Sequence, residues 1–100
     1  MYVVIFRAKT QNLDSVYYDT ANRLREIAME KYGCKEFVSV TENGEEITLS
    51  YWPNLDAIQN WKKDQDHKEA QKLGRAQWYI DYKVEVVQVL RNYDSGLFSG

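Results

Sequence analysis

His67 is the one side chain in this 100-residue sequence whose ordinary pKa lies near neutrality, so a general base here is most naturally His67. Gln71, Gly74 and Trp78 follow it at offsets of 4, 7 and 11, which places all four along one side of a helix as a candidate lining. Trp61 and Trp78 have the size and flatness to wall an aromatic molecule. Arg75 can pair with a phenolate or carboxylate, and Tyr51 and Tyr79 can donate a hydrogen bond to a substrate oxygen. Each also has a plainer role open to it. His67, near Asp64 and Asp66, suits a helix start, the tryptophans suit a core, and Arg75 suits a surface ion pair with a carboxylate such as Asp81. Gly74 inside a helix costs about 1 kcal/mol relative to Ala, which implies either close backbone packing or room left for a ligand.

Other chemistries have little to stand on. One Cys (Cys34) and one His cannot build a zinc site or a disulfide within the chain, so no metal site is expected and Cys34 is taken as structural. Ser39, Thr48 and Ser50 have no Ser/His/Asp arrangement that spacing supports, which disfavours a hydrolase. Lys plus Arg number 13 against 15 Asp plus Glu, a formal charge of -2, and there is no basic footprint for nucleic acid or an anionic membrane. No apolar run extends beyond Tyr2 to Phe6, too short for a transmembrane helix or a signal peptide, so a soluble cytoplasmic protein is expected. The 8 Tyr and 3 Trp must find packing partners in one small domain.

The elements that must position these residues follow from local pattern. Residues 2–9 are β-branched and aromatic and predict a strand. From Leu13, a helical period runs through Val16, Tyr17, Ala21, Leu24, Ile27 and Ala28, with Asn12 or Asp14 as N-cap and Gly33 as the stop. Asn43-Gly44 suits a type I′ turn, and counting outward pairs Glu42 with Glu45, Val40 with Ile47 and Val38 with Leu49. That aliphatic face is expected to meet the helices. The opposite face, with Phe37, Ser39, Thr41, Thr48, Ser50 and Trp52, is expected to need another cover. Pro53 ends the strand, Asn54 caps a short helix through Leu55, Ile58 and Trp61, and a second helical stretch runs over 66–79. A last strand is predicted over 82–92, with Val84, Val86 and Leu90 facing one way and Val87 and Val89 the other.

The order is βαββαβ, an α+β fold of ferredoxin-like type: one antiparallel sheet with helices on one face. One domain is expected over 1–93, with 94–100 as a flexible tail. The second sheet face would leave Phe37, Trp52 and half of the last strand wet, which predicts a face-to-face homodimer.

The runs Ile47-Thr48-Leu49-Ser50-Tyr51-Trp52, Leu55-Asp56-Ala57-Ile58-Gln59-Asn60-Trp61, His67-Lys68-Glu69-Ala70-Gln71, Gly74-Arg75 and Trp78-Tyr79 resemble the antibiotic biosynthesis monooxygenase family over roughly 1–93. The resemblance implies a dimeric α+β barrel, two ferredoxin-like sheets packed together with helices outside. It also implies oxygen chemistry of two kinds. One branch oxidises polyphenolic or quinol substrates without metal or flavin, and this chain shows no glycine-rich nucleotide or phosphate loop. The other branch degrades haem, using an Asn on the first strand, a Trp, and an iron-ligating His ten residues after that Trp. Here Trp61 matches, while Phe6 and Gln71 stand at the other two positions and His67 lies one helical turn before Gln71.

Three readings result. The first is a cofactor-independent monooxygenase using dioxygen on an aromatic or quinol-like small molecule, with Trp61 as wall, His67 as proton acceptor, and Gln71, Trp78, Arg75, Tyr51 and Tyr79 as binding residues. The second is a haem-binding or haem-degrading protein. The third is a non-catalytic binding or interaction dimer whose aromatics only fill the barrel. A pocket beside Trp61 and His67 separates the third from the others.

Overall fold

In the computed structural model, which describes residues 1–96, the chain runs β1 (Tyr2–Thr10), α1 (Ser15–Lys31), β2 (Glu36–Glu42), β3 (Glu45–Trp52), α2 (Leu55–Lys62), α3 (Gln65–Leu73), a π-helical turn (Gly74–Trp78) and β4 (Tyr79–Gln88). The local signals do what their chemistry dictates. Asn43 and Gly44 take φ of 54° and 75°, the positive pair of a type I′ turn, and the ladder pairs Glu42 with Glu45, Val40 with Ile47 and Val38 with Leu49. Asp14 caps α1 by accepting from the Tyr17 amide at 3.0 Å, and Asn54 caps α2 by accepting from the Ala57 amide at 2.8 Å. Gly33, at φ 76°, turns the chain out of α1.

The four strands form one sheet in the order β2-β3-β1-β4, and every neighbouring pair is antiparallel. The ferredoxin-like α+β fold expected from the element order is therefore present. Among the described residues, no helix is long and apolar enough to cross a membrane.

The register reverses the expected use of the two faces. Opposite β1 residues Tyr2, Val4 and Phe6 stand Trp52, Ser50 and Thr48 of β3, and opposite Ser50 and Thr48 stand Phe37 and Ser39 of β2. This is the face the helices cover. Trp52 is wholly buried and clusters with Val4, Ala28, Cys34, Ile58 and Trp61. Val38, Val40 and Ile47, expected under the helices, are instead 43%, 58% and 39% exposed on the opposite face. Large aromatic side chains remove more apolar surface from water than valines do. The hydroxyls on this covered face are satisfied laterally: Trp52 Nε1 donates to Ser50 Oγ at 2.8 Å, and Ser39 and Thr48 are bonded at 2.7 Å.

Other boundaries also move. The last strand begins at Tyr79 and ends at Gln88, so Val84 and Val86 lie on the helix side and Val87 on the other, while Leu90 lies beyond the strand and is 86% exposed. The helical stretch over 66–79 divides into α3 and the π turn. Of the tail expected over 94–100, residues 97–100 lie outside the described residues, and Asp94 accepts from the Gly96 amide at 2.7 Å.

Candidate active-site cavity

Between the helix-facing side of the sheet and helices α1 to α3 lies a cavity of about 230 Å³. Its walls include Trp61, His67, Gln71, Trp78 and Tyr79, so five of the seven candidate residues are brought together at one place. The other two are not. Arg75 is exposed on the π turn, and Tyr51 sits opposite Val3 and Glu36 on the sheet face away from the helices. Tyr51 follows the alternation of a strand, so its neighbour Trp52 takes the inward position.

His67 is held by the start of α3. Asp64 caps the helix with Oδ1, which accepts from the amides of Asp66 and His67 at 2.9 and 3.2 Å, while its Oδ2 accepts from Tyr32 Oη at 2.6 Å. The Tyr32 hydrogen bond holds the Asp64 carboxyl below its ordinary pKa. The His67 ring lies 4.2 Å from that of Trp61, which stands 5.0 Å from Trp52 and 6.1 Å from Phe37. Burial lowers the His67 pKa from 6.5, with the Lys62 carbonyl and the Asp64 carboxylate pulling the other way. His67 is therefore a neutral base at pH 7. Its Nδ1 and the indole Nε1 atoms of Trp61 and Trp78 are buried without a hydrogen-bond partner among the described residues. Such atoms are uncommon, because each carries an uncompensated desolvation cost of about 1–3 kcal/mol.

The lowered His67 pKa has a consequence for stability. The unfolded chain takes up a proton near pH 6.5 that the folded chain takes up only at lower pH, so stability falls as the pH drops below 6.5. Urea titrations at pH 7.5 and 5.5 should show this loss in the wild type and a smaller one in His67→Leu. An equal loss in both would mean that other groups carry the dependence.

At the other end of β3 the cavity wall contains a group that the candidate list lacked. Glu46, 5% exposed, accepts from Tyr17 and Tyr79 on Oε1, the latter at 3.1 Å, and from Thr48 on Oε2 at 2.7 Å. Burial, with the Glu46 carboxylate beside them, raises the pKa of both tyrosines. The signal for Glu46 lay in the hairpin register: pairing with Thr41 puts it on the face of Phe37 and Trp52, an ionisable residue at an inward position. Gly74 has its explanation in close packing, since a Cβ there would stand 2.6 Å from Tyr79 Cε2. Cys34 is buried, with its Sγ 3.2 Å from the Glu36 carbonyl, and burial raises the thiol pKa, as suits an unreactive cysteine.

A hollow of about 150 Å³ admits one benzene, so about 230 Å³ has room for one or two fused rings. The positions where the haem branch has Asn and His are held by Phe6 and Gln71 in the cavity wall. Among the described residues no three His, Cys, Asp or Glu side chains gather as a metal site. A second hollow of about 220 Å³ runs beside Arg7, Lys9, Glu45, Asp81 and Lys83, and its charged side chains of both signs offer no apolar chamber.

No family model matches the chain. The uncharacterized protein YqjZ of Bacillus subtilis is 38% identical over 91 residues, which cover 90% of this chain and 80% of that protein. Among solved structures, SnoaB of Streptomyces nogalater, described as a cofactor-independent oxygenase, superposes with a TM-score of 0.76 at 10% identity, covering 91% of this chain and 94% of its own. Rv0793 of Mycobacterium tuberculosis gives 0.79 at 12% identity, with coverage of 93% and 98%. A protein described as an antibiotic biosynthesis monooxygenase gives 0.66 at 14%, with coverage of 91% and 100%. The chain belongs to the same family as YqjZ, and its fold is that of the antibiotic biosynthesis monooxygenases.

Proposed function

We propose that the cavity binds a small aromatic or quinol-like molecule and that the protein is a cofactor-independent monooxygenase acting on it with dioxygen. The observation that carries this reading is the cavity itself, walled by Trp61, Trp78 and His67, with Trp61 Nε1, Trp78 Nε1 and His67 Nδ1 buried and without a partner among the described residues. An electron-rich hydroxyaromatic, once deprotonated, can itself pass an electron to dioxygen. The protein then has to exclude water, hold the ring and accept protons. Trp61 and Trp78 supply the walls, Gln71 and Tyr79 polar contacts, and neutral His67 a proton acceptor. The likeness to SnoaB, a cofactor-independent oxygenase, is in keeping with this chemistry. The test is oxygen uptake by metal-free protein given a quinol. No uptake above the protein-free rate would favour the non-catalytic binding dimer.

The reading includes a cytoplasmic homodimer. Val38, Val40 and Ile47 form an aliphatic patch on the sheet face the helices leave open, which a second copy packed sheet to sheet would cover. Light scattering at micromolar concentration should give twice the chain mass, and Val40→Asp should give one chain mass with the fold retained. A monomeric wild type would remove the dimer.

A further inference from the structure

The carboxylate at the far end of the cavity has no part in the chemistry assigned to His67. Glu46 accepts hydrogen bonds from two phenols, and these are not equivalent. Tyr17 Oη donates to Glu46 and also lies 3.2 Å from Thr41 Oγ1, which donates to it, so both its capacities are used. Tyr79 Oη makes one bond among the described residues, the 3.1 Å donation to Glu46. With its proton held there, Tyr79 can only accept, and what it would accept is a ligand O–H or N–H.

The least regular stretch of backbone places that oxygen. At Gly74 the helix passes into the π turn, which the Tyr79 amide closes by donating to the Gly74 carbonyl. A π turn carries one more residue than an α-helical turn, and such turns recur at functional sites. Glycine at 74 lets the Tyr79 ring lie against the backbone, where any Cβ would collide with it. The ring also packs 5.2 Å from Phe6, another residue of the cavity wall.

We infer that Tyr79 and Glu46 receive the hydroxyl of a one- or two-ring hydroxyaromatic: the ligand O–H donates to Tyr79 Oη, and Tyr79 passes its own proton to Glu46 Oε1. The ligand O–H bond breaks as one forms on Tyr79, and the Tyr79 O–H bond breaks as one forms on Glu46. The ligand is left as an aryloxide and Glu46 as a neutral acid, with no electron transferred in this step. Tyr79 gains one proton as it loses another, so it need not become a phenolate in a site that disfavours one. This rests on the reading of the cavity as a site for hydroxyaromatic molecules, and it gives that site a proton acceptor besides His67.

The experiment compares 2-naphthol with 2-methoxynaphthalene, which has the same rings and no hydroxyl donor, by titration calorimetry. The wild type should bind naphthol about tenfold more tightly or better. Tyr79→Phe should abolish that preference, while Glu46→Gln, whose amide oxygen still accepts from Tyr79, should keep most of it. In oxygen uptake with 1,4-dihydroxynaphthalene, corrected for the protein-free rate, both variants should lose about 10² in kcat, with KM of Glu46→Gln changed less than about threefold and its thermal melt unchanged. Equal affinity for the two naphthalenes in the wild type, or a preference that survives Tyr79→Phe, would overturn the dock. A Glu46→Gln kcat within about threefold of wild type would overturn the proton transfer. If neither naphthalene binds, the aromatic-pocket reading itself fails. Naphthol preference without wild-type oxygen uptake would leave the dock standing and overturn both the oxygenase reading and the proton transfer.

Discussion

His67→Ala is expected to slow quinol-dependent oxygen uptake by about 10² or more, the usual scale for losing a general acid or base. Burial keeps the imidazole neutral at pH 7, and its Nδ1 has no hydrogen-bond partner among the described residues, so the base is free to take a substrate proton without first giving up one of its own. The ring also packs 4.2 Å from Trp61, so its loss loosens the cavity wall as well. Two readouts separate these effects. Lost packing raises KM and lowers the melting temperature, whereas a lost base lowers kcat and removes the fall in rate that protonation of His67 causes at acid pH. A His67→Ala enzyme with unchanged kcat at neutral pH would take His67 out of the chemistry.

Trp52→Ala is expected to cost about 3–5 kcal/mol of stability, the range for deleting a large buried aromatic. Trp52 is 0% exposed, its indole lies 5.0 Å from that of Trp61, and its Nε1 is bonded to a Ser50 hydroxyl that is itself buried. Truncation opens a cavity in the centre of the core and leaves Ser50 without its partner. A domain of this size has total stability of only about 5–15 kcal/mol, so the variant should stand close to unfolding at room temperature. Urea titration is the check: the midpoint should drop sharply with little change in slope. Trp52→Phe, which keeps most of the volume, should lose less. A Trp52→Ala midpoint near that of the wild type would mean that the core closes around the gap. Trp61 stands between Trp52 and His67, so partial loss of this core should also weaken binding in the cavity.

Some of the site was legible in the residues alone. His67 and Gln71 share one helix side by spacing, and that side does face the cavity, while Trp78 reaches it from the π turn. Trp61 stood out as a large aromatic on a capped short helix, which packs where an amphipathic pattern demands. Arg75 shows the limit of the same reasoning. It belongs to a π turn, where the helical period does not hold, and it ends exposed. Tyr51 was one residue out of phase with the inward face of its strand. Glu46 was recoverable from the hairpin register, but an acidic residue close to a turn is ordinarily solvated, and the hydroxyls that make its burial tolerable come from residues 17, 48 and 79.

The turn at Asn43-Gly44, the hairpin register, the cap at Asn54, the end of α1 and the order of elements could be read from the residues, because each follows from the backbone preferences of a few neighbours, whereas the choice of Asp14 over Asn12 as the cap of α1 could not. Which face of the sheet meets the helices was decided only in the tertiary structure. Alternation shows that a strand has two faces; the balance between burying tryptophan and phenylalanine or burying valine and isoleucine is struck when the helices dock, and the lateral bonds of Ser39, Thr48 and Ser50 tip it. The cavity's far end is tertiary for the same reason. It needs α1, β3 and β4 brought side by side, and a π turn at Gly74 to set the Tyr79 hydroxyl on Glu46, a contact across the fold that no local preference contains.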